Sequence, residues 1–204
     1  AEARRGEVID RMLAVVSGDL IMMSDVSAAI EFGLVPQTRG PDVTALVLSQ
    51  LIDRALMLAE VERYAPPEPG AQALERELQA VRERFLSPEA FQDALARYGI
   101  DESSLRETLR ANLRLRAYLG QRFSAVPPSD EELARYFDAN RERFSRSGEV
   151  PSFESARADV LQALELDRRQ LMVNDWLAGL KRRAAPTILY EPAAPSSGEP
   201  AGRR

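Results

Sequence analysis

The pattern at the start of the chain is typical of a β-hairpin. Residues 8–16 are rich in β-branched and apolar side chains, and Ser17-Gly18-Asp19 follows as a turn in which glycine adopts a positive φ without steric cost. Residues 20–23 predict the return strand, and Ser24 is predicted to cap a short helix that runs to about Phe32. Because an isolated hairpin is only marginally stable in water, it requires a third strand or a helix to pack against.

From Pro41 onward, apolar residues recur with the period of an α-helix. Helix starts are marked by Ser87, Asp101 and Ser129, since short polar side chains accept hydrogen bonds from the free N–H groups of a first turn. The run 65–70, rich in Pro, ends the first long helix. Together these signals predict helices over about 42–64, 72–85, 88–98, 102–123, 130–144 and 153–184.

The final helix, 153–184, would be about 45 Å long and therefore too long to be buried against one small core. Residues 187–190 follow it as a short strand, the natural third strand for the N-terminal hairpin. The predicted fold class is mainly α, a helical bundle with a small sheet formed by the N-terminal β-hairpin and a C-terminal strand. Residues 191–204, rich in Pro, Ala, Gly and Ser, are predicted to be a flexible tail.

Length and charge narrow the class of protein. The chain has 204 residues, enough to bury a large core, and its net charge of −5 has the wrong sign for a general nucleic-acid binder. No stretch approaches the ~18 consecutive apolar residues of a membrane span, so no stable membrane insertion is expected. The chain begins at Ala1 without Met, as a mature exported protein or a trimmed chain would.

The residues that carry most proton-transfer and thiol chemistry are missing. The sequence has no His and no Cys, which excludes a Ser-His-Asp triad and a His or Cys zinc site. The only lysine, Lys181, lies in Lys181-Arg182-Arg183, where cations favour a helix C-terminus. Asp130-Glu131-Glu132 is explained by capping, and the scattered glycines form no phosphate-binding loop. We therefore predict no catalytic residue, no metal site and no cofactor.

Aromatic and methionine side chains are the candidates for binding another polypeptide. Aromatic residues are favoured anchors at interfaces, and methionine side chains adapt to varied partners. Both kinds of residue are more often part of a core, and that alternative stays open. The candidate client-binding residues are Met22, Met23, Phe85, Phe91, Tyr98 and Trp176.

Three arginines repeat every fourth position on one predicted helix, at Arg106, Arg110 and Arg114. They either attract acidic segments of a partner or form a solvated helix face partnered by Glu102 and Glu107. The solvated face is the more common arrangement.

Several segments follow one another in the order of a known family: the hairpin 8–25 around Val15-Val16-Ser17-Gly18-Asp19, then Leu48-Ser49-Gln50-Leu51-Ile52-Asp53-Arg54, Ser87-Pro88-Glu89-Ala90-Phe91, Asn140-Arg141-Glu142-Arg143-Phe144 and Pro151-Ser152-Phe153-Glu154. Over most of residues 8–190 they resemble the SurA-type periplasmic chaperones, in which Asn often occupies the place of Ser17. Where that family usually inserts a parvulin prolyl isomerase domain, this chain has only residues 145–150.

The resemblance implies a single chaperone core over 1–190, made of 8–144, the short linker 145–150 and the long helix and strand of 151–190. It implies an exported, periplasmic, ATP-independent chaperone that assists outer-membrane protein assembly by binding unfolded polypeptides, without isomerase activity. Two alternatives stay open. One is a structural adaptor or assembly subunit with one fixed partner, including a homodimer through exchanged helices. The other is a residual prolyl isomerase.

Overall fold

The computed structural model describes residues 10–64, 66–124, 126–145 and 148–192. These residues are mainly α-helical, with one small sheet of three antiparallel strands. The predicted fold class is confirmed, because the sheet is built by the N-terminal hairpin and a C-terminal strand. The tail predicted for 191–204 lies outside the described residues from position 193 onward, as do residues 8 and 9 of the predicted first strand.

The hairpin consists of β1, Met12–Val16, and β2, Asp19–Met22. Ser17 and Gly18 both have positive φ, 53° and 99°, which is the backbone of the two-residue turns that match the twist of paired strands. The third strand, β3, is Thr187–Ile188 and pairs with β1, giving the order β2-β1-β3. The predicted third strand is thus confirmed, although it is shorter than 187–190.

The start of the first helix was predicted wrongly. Helix α1, Met23–Glu31, begins at the residue that was expected to end the second strand. Met22, not Ser24, is the N-cap, because the Asp25 carboxylate accepts a hydrogen bond from the Met22 N–H at 2.8 Å. Ser24 lies in the first turn, where its N–H donates to Asp10 at 3.1 Å. A carboxylate at the third helical position can satisfy the N-cap backbone, so the helix starts earlier than the sequence indicated.

The other helices lie close to their predicted positions. They are α2, Val43–Tyr64; α3, Ala71–Arg82; α4, Pro88–Arg97; α5, Glu102–Arg122; α6, Asp130–Ala139; and α7, Phe153–Ala184, with a short 3₁₀ helix, Arg141–Phe144, after α6. The predicted caps are confirmed, since Ser87, Asp101 and Ser129 each accept a hydrogen bond from the N–H three residues on. Helix α3 ends at Arg82 rather than at Phe85, whose ring turns toward Phe32.

Buried apolar side chains form three main clusters. The sheet cluster joins β1, α1, α2 and the end of α7, and includes Leu13, Val16, Ile52, Leu56 and Leu180. The aromatic cluster joins α1, α3, α4 and α5 around Phe32, Phe91 and Leu105. The distal cluster joins α6 to the first half of α7 and includes Leu133, Phe137, Phe144, Val160 and Leu164.

Helix α7 connects two of these clusters. It has 32 residues, which corresponds to about 48 Å at ~1.5 Å per residue. Its first half packs in the distal cluster and its last turns pack in the sheet cluster. No residue of the span 165–179 is buried. The expectation that this helix is too long for one small core is therefore confirmed.

We expect Phe32→Ala to destabilise the fold by about 3–5 kcal/mol, because a fully buried ring is replaced by a cavity. Phe32 lies 5.5–6.2 Å from the rings of Phe85, Phe91 and Tyr98, so no small shift would refill the space. Urea unfolding followed by circular dichroism measures the change. Leu86→Ala is the control, since Leu86 is fully exposed and its loss should change stability by no more than about 0.5 kcal/mol. Similar values for the two variants would contradict the assignment of Phe32 to the core.

Candidate binding groove

An open groove of about 700 Å³ lies between α2, α5 and α7. Each helix lines it with residues at the i, i+3, i+4 and i+7 spacing of a single helix face. Helix α2 contributes Gln50, Asp53, Arg54 and Met57. Helix α7 contributes Gln170, Val173, Asn174 and Leu177. Helix α5 contributes a longer face, Leu109, Asn112, Leu115, Arg116 and Leu119.

The loop after α1 and one face of α3 complete the groove. Gly33 takes a positive φ of 65°, which turns the chain out of α1 and lets the Leu34 N–H donate to Ala29 O at 2.9 Å. A Cβ at Gly33 would lie 2.5 Å from the Arg84 guanidinium carbon, so no larger residue fits there without a shift. Leu34, Val35 and Pro36 then add apolar surface beside α2.

Two carboxylates at the groove already have a cation within ion-pair distance. Lys181 Nζ of α7 lies 2.6 Å from Asp53 Oδ1 of α2. Arg116 Nη2 of α5 lies 2.8 Å from Glu77 Oε1 of α3. Lys181 was predicted to stabilise the end of α7, and in addition it holds α7 against α2.

Arg54 has a different environment. It is partly buried, and burial lowers the pKa of its guanidinium. Its Nε donates to Asn112 Oδ1 at 2.6 Å, and Nη2 lies 3.4 Å from Thr108 O. Both partners are neutral. Among the described residues, no carboxylate forms an ion pair with Arg54.

A second polar group of the groove lies one turn before Arg54. The Gln50 amide donates from Nε2 to Thr38 Oγ1 at 2.8 Å. Its oxygen, Oε1, is buried and has no hydrogen-bond partner among the described residues. The groove therefore contains an unused acceptor beside a cation with unused donors.

The predicted aromatic candidates lie together, but outside this groove. Phe85 and Phe91 are 5.5 Å apart in the aromatic cluster, and Phe91 is only 3% exposed. The Tyr98 hydroxyl donates to Glu31 at 2.6 Å at the edge of the same cluster. Phe85 and Phe91 also line a second, smaller cleft of about 490 Å³ beside the exposed Leu86.

The other predicted candidates are dispersed. Met22 is the partly buried N-cap of α1, and Met23 packs against the sheet cluster. Trp176 lies nearest to the groove, because it packs with Met57 against a small cluster that includes Leu115. Its ring lies 5.4 Å from Phe123, with the Arg122 guanidinium above it at 5.7 Å.

Gln50, Arg54 and Asn112 line the groove but were not predicted from the sequence as site residues. One signal for Arg54 was present, since Asp53-Arg54 is a charged pair in the middle of an otherwise apolar stretch of helix. A cation placed there must either reach solvent or find a partner. The spacing of α2 alone did not indicate which other helices would face it.

The arginine repeat of α5 forms a solvated face of ion pairs. Arg106 pairs with Glu102, as predicted, and with Glu75. Arg110 and Arg114 pair with Glu68, in the segment between α2 and α3. Arg110 and Arg114 are therefore partnered by Glu68 from outside the helix, whereas Glu102 and Glu107 of the same helix had been expected as partners.

The distal cluster is fastened to α7 by a polar network. Arg143 Nη1 lies 2.7 Å from Asp167 Oδ2, and the Tyr136 hydroxyl donates to the same carboxylate. These hydrogen bonds, first that from Arg143, hold the pKa of Asp167 below its ordinary value. Burial and the neighbouring carboxylate raise the pKa of the Tyr136 hydroxyl.

Comparison with known proteins identifies no family. No protein-family model matches the chain, and no curated protein matches it significantly. None of the helices in the described ranges combines the length and the apolar composition of a membrane-spanning segment. Within those same ranges, no cluster of three or more His, Cys, Asp or Glu side chains is arranged to hold a metal ion. The resemblance to SurA-type chaperones stays a prediction from the quoted residues.

We expect Asp167→Asn to weaken the fold above pH 4 by up to about 1 kcal/mol, the usual limit for an exposed ion pair. The folded-state pKa of Asp167 lies below its unfolded value of about 3.9, so its contribution is fully present above that value. As pH falls through the folded pKa, that contribution is lost, and the two proteins should converge. Urea unfolding at several pH values tests this. Asp175→Asn, at an exposed position of α7, is the control, and a difference that grew in acid would contradict the assignment.

Proposed function

We propose that this protein is an ATP-independent chaperone that holds segments of unfolded polypeptides in the groove between α2, α5 and α7. The groove is the observation that carries the proposal. Its volume of about 700 Å³ lies within the range of known ligand sites, and apolar side chains supply much of its lining. A surface of this kind binds by burying the side chains of another chain, which requires no catalytic group.

The chemistry of the groove favours reversible binding of varied segments. Burying a Leu- or Phe-sized side chain contributes roughly 1.5–3 kcal/mol, and the groove has room for only a few. After the entropy cost of ordering the bound segment, affinity of about micromolar or weaker is expected. The flexible side chain of Met57 adapts to different shapes, while the amides of Asn112 and Asn174 offer hydrogen bonds to a peptide backbone.

We propose that the clients are unfolded outer-membrane proteins in the periplasm and that the protein catalyses no reaction on them, prolyl isomerisation included. This part rests on the resemblance described above, together with the absence of His and Cys from the sequence. The absence of isomerase activity is tested by a prolyl-isomerisation assay on standard peptides. Turnover that an Arg or Tyr substitution abolished would establish the alternative of a residual isomerase.

A structural adaptor is the second candidate, and the middle of α7 favours it. Leu166, Leu171 and Met172 are exposed on the span of α7 where no residue is buried. A fixed partner, or a second copy of this chain exchanging helices, would cover such side chains. Suppression of aggregation for several unrelated unfolded proteins would favour the chaperone, whereas activity confined to one partner would favour the adaptor.

We expect Gln170→Trp to reduce suppression of aggregation severalfold, because a large ring would occupy part of the groove. The assay follows light scattering by several unrelated unfolded proteins at increasing ratios of wild-type or variant protein. Gln162→Trp is the matched control, since both glutamines are exposed on α7 and only Gln170 lines the groove. The control should suppress aggregation as the wild type does. Equal activity of the two variants would show that clients bind elsewhere.

A further inference from the structure

We propose that the groove selects polypeptide segments in which an acidic side chain is flanked by apolar residues, and that Arg54 binds the carboxylate. This inference rests on the proposed function, because it assumes that the groove holds polypeptide. It means that the groove recognises a carboxylate as well as apolar side chains.

The Arg54 guanidinium has hydrogen-bond donors to spare. A guanidinium has five N–H donors, and Arg54 uses Nε and one terminal nitrogen on neutral oxygens of Asn112 and Thr108. The remaining donors have no hydrogen-bond partner among the described residues. A partly buried cation without a counter-charge is costly, and burial already lowers the pKa of this one. A carboxylate in the groove would supply the missing charge and could bind in a bidentate manner.

Two carboxylates that line the groove, those of Asp53 and Glu77, are paired with cations other than Arg54. Asp53, the neighbour of Arg54 in α2, is paired with Lys181 of α7. Glu77, which also lines the groove, is paired with Arg116. The other cation in the lining, Arg84, points to the backbone oxygen of Glu31 at 3.5 Å. Arg54 therefore gives the groove an uncompensated positive charge. This charge is complementary to an acidic group.

The position of Arg54 favours an internal side chain over a C-terminal carboxylate. Arg54 lies midway along the part of α2 that lines the groove, between Gln50 and Met57. Its partner Asn112 lies midway along the corresponding part of α5, between Leu109 and Leu119. Groove surface therefore continues on both sides of Arg54. A chain that ended at this arginine would leave part of the apolar lining uncovered, whereas an internal acidic residue would place apolar neighbours on both sides.

Gln50 is a second polar group close to the proposed position of the same segment. Its buried Oε1 has no partner among the described residues and requires an N–H donor. Gln50 precedes Arg54 by four residues, so the two side chains lie on one face of α2. A peptide offers a backbone N–H within a few bonds of an acidic side chain. Because Oε1 is buried, the Gln50 amide would have to turn toward the groove before an extended segment satisfied the cation and the acceptor together.

The test uses three fluorescein-labelled, N-acetylated probe peptides of equal length. Each has Leu, Val and Phe around a central position. The first has a central Glu and an amidated C-terminus, the second a central Gln and an amidated C-terminus, and the third a central Gln and a free C-terminal carboxylate. Affinity is measured by fluorescence anisotropy, and occupancy of the groove is followed by the emission of Trp176, the only tryptophan.

We expect the Glu peptide to bind wild-type protein about tenfold to a hundredfold more tightly than either Gln peptide, the range for a hydrogen bond to a charged group. Arg54→Met should remove this preference, so that the amidated Glu and Gln peptides bind this variant within about twofold of each other. Arg63→Met is the matched control on the same helix, because Arg63 is 75% exposed and lies outside the groove. It should keep the preference.

Asn112→Asp provides a second, independent variant. It would place a carboxylate beside Arg54 Nε, where Asn112 Oδ1 now lies at 2.6 Å, and so satisfy the cation internally. We expect this variant to fold at least as stably as the wild type and to lose the preference for the Glu peptide. The proposal therefore does not depend on the folding of Arg54→Met.

The outcomes separate this proposal from the function on which it rests. Equal binding of all three peptides would overturn the role of Arg54 and leave the groove as an apolar binding site. Preference for the free C-terminal carboxylate would overturn the internal acidic side chain as the ligand. No binding of any peptide would overturn the proposed function and this inference with it.

Discussion

The packing of the last turns of α7 against α2 and the sheet determines whether a groove exists at all. Leu180 lies in the sheet cluster, and Lys181 pairs with Asp53 of α2. Beyond the helix, β3 pairs with β1, and the Tyr190 hydroxyl donates to Asp42 at 3.0 Å, one residue before α2 begins. These contacts fix one end of α7 beside α2, so that its next turns form the third wall of the groove.

The length of α7 explains why this wall faces solvent. A helix of about 48 Å reaches from the sheet cluster to the distal cluster, and no residue in the span 165–179 between them is buried. Val173 and Leu177 consequently line an open space. The distal cluster holds the far end of α7 through apolar packing and the Arg143–Asp167 pair. Two separate points of attachment keep the exposed middle in place.

Local signals in the sequence predicted most of the helices and strands. The groove could not be predicted in this way, because it depends on which helices pack against one another. Ser87, Asp101 and Ser129 marked helix starts correctly because a cap involves only its own first turn. Met23 was misplaced because Asp25 competed with Ser24 as the capping group. Phe91 was named as a binding candidate although an aromatic residue at helical spacing is more often part of a core, and no local signal decided between the two. The groove depends on three helices whose contributions lie near positions 54, 112 and 174, and the sequence did not show that these faces would meet.

The same contact that builds the groove also determines its charge. Asp53 is adjacent to Arg54 and would be an available carboxylate, but Lys181 engages it when α7 packs against α2. Arg54 is left with the neutral Asn112 and Thr108, an arrangement that costs stability in the empty protein. Replacing this partly buried cation by an apolar residue would be a simple way to remove that cost. Its presence in the middle of an apolar groove is therefore better explained by what enters the groove than by the stability of the fold.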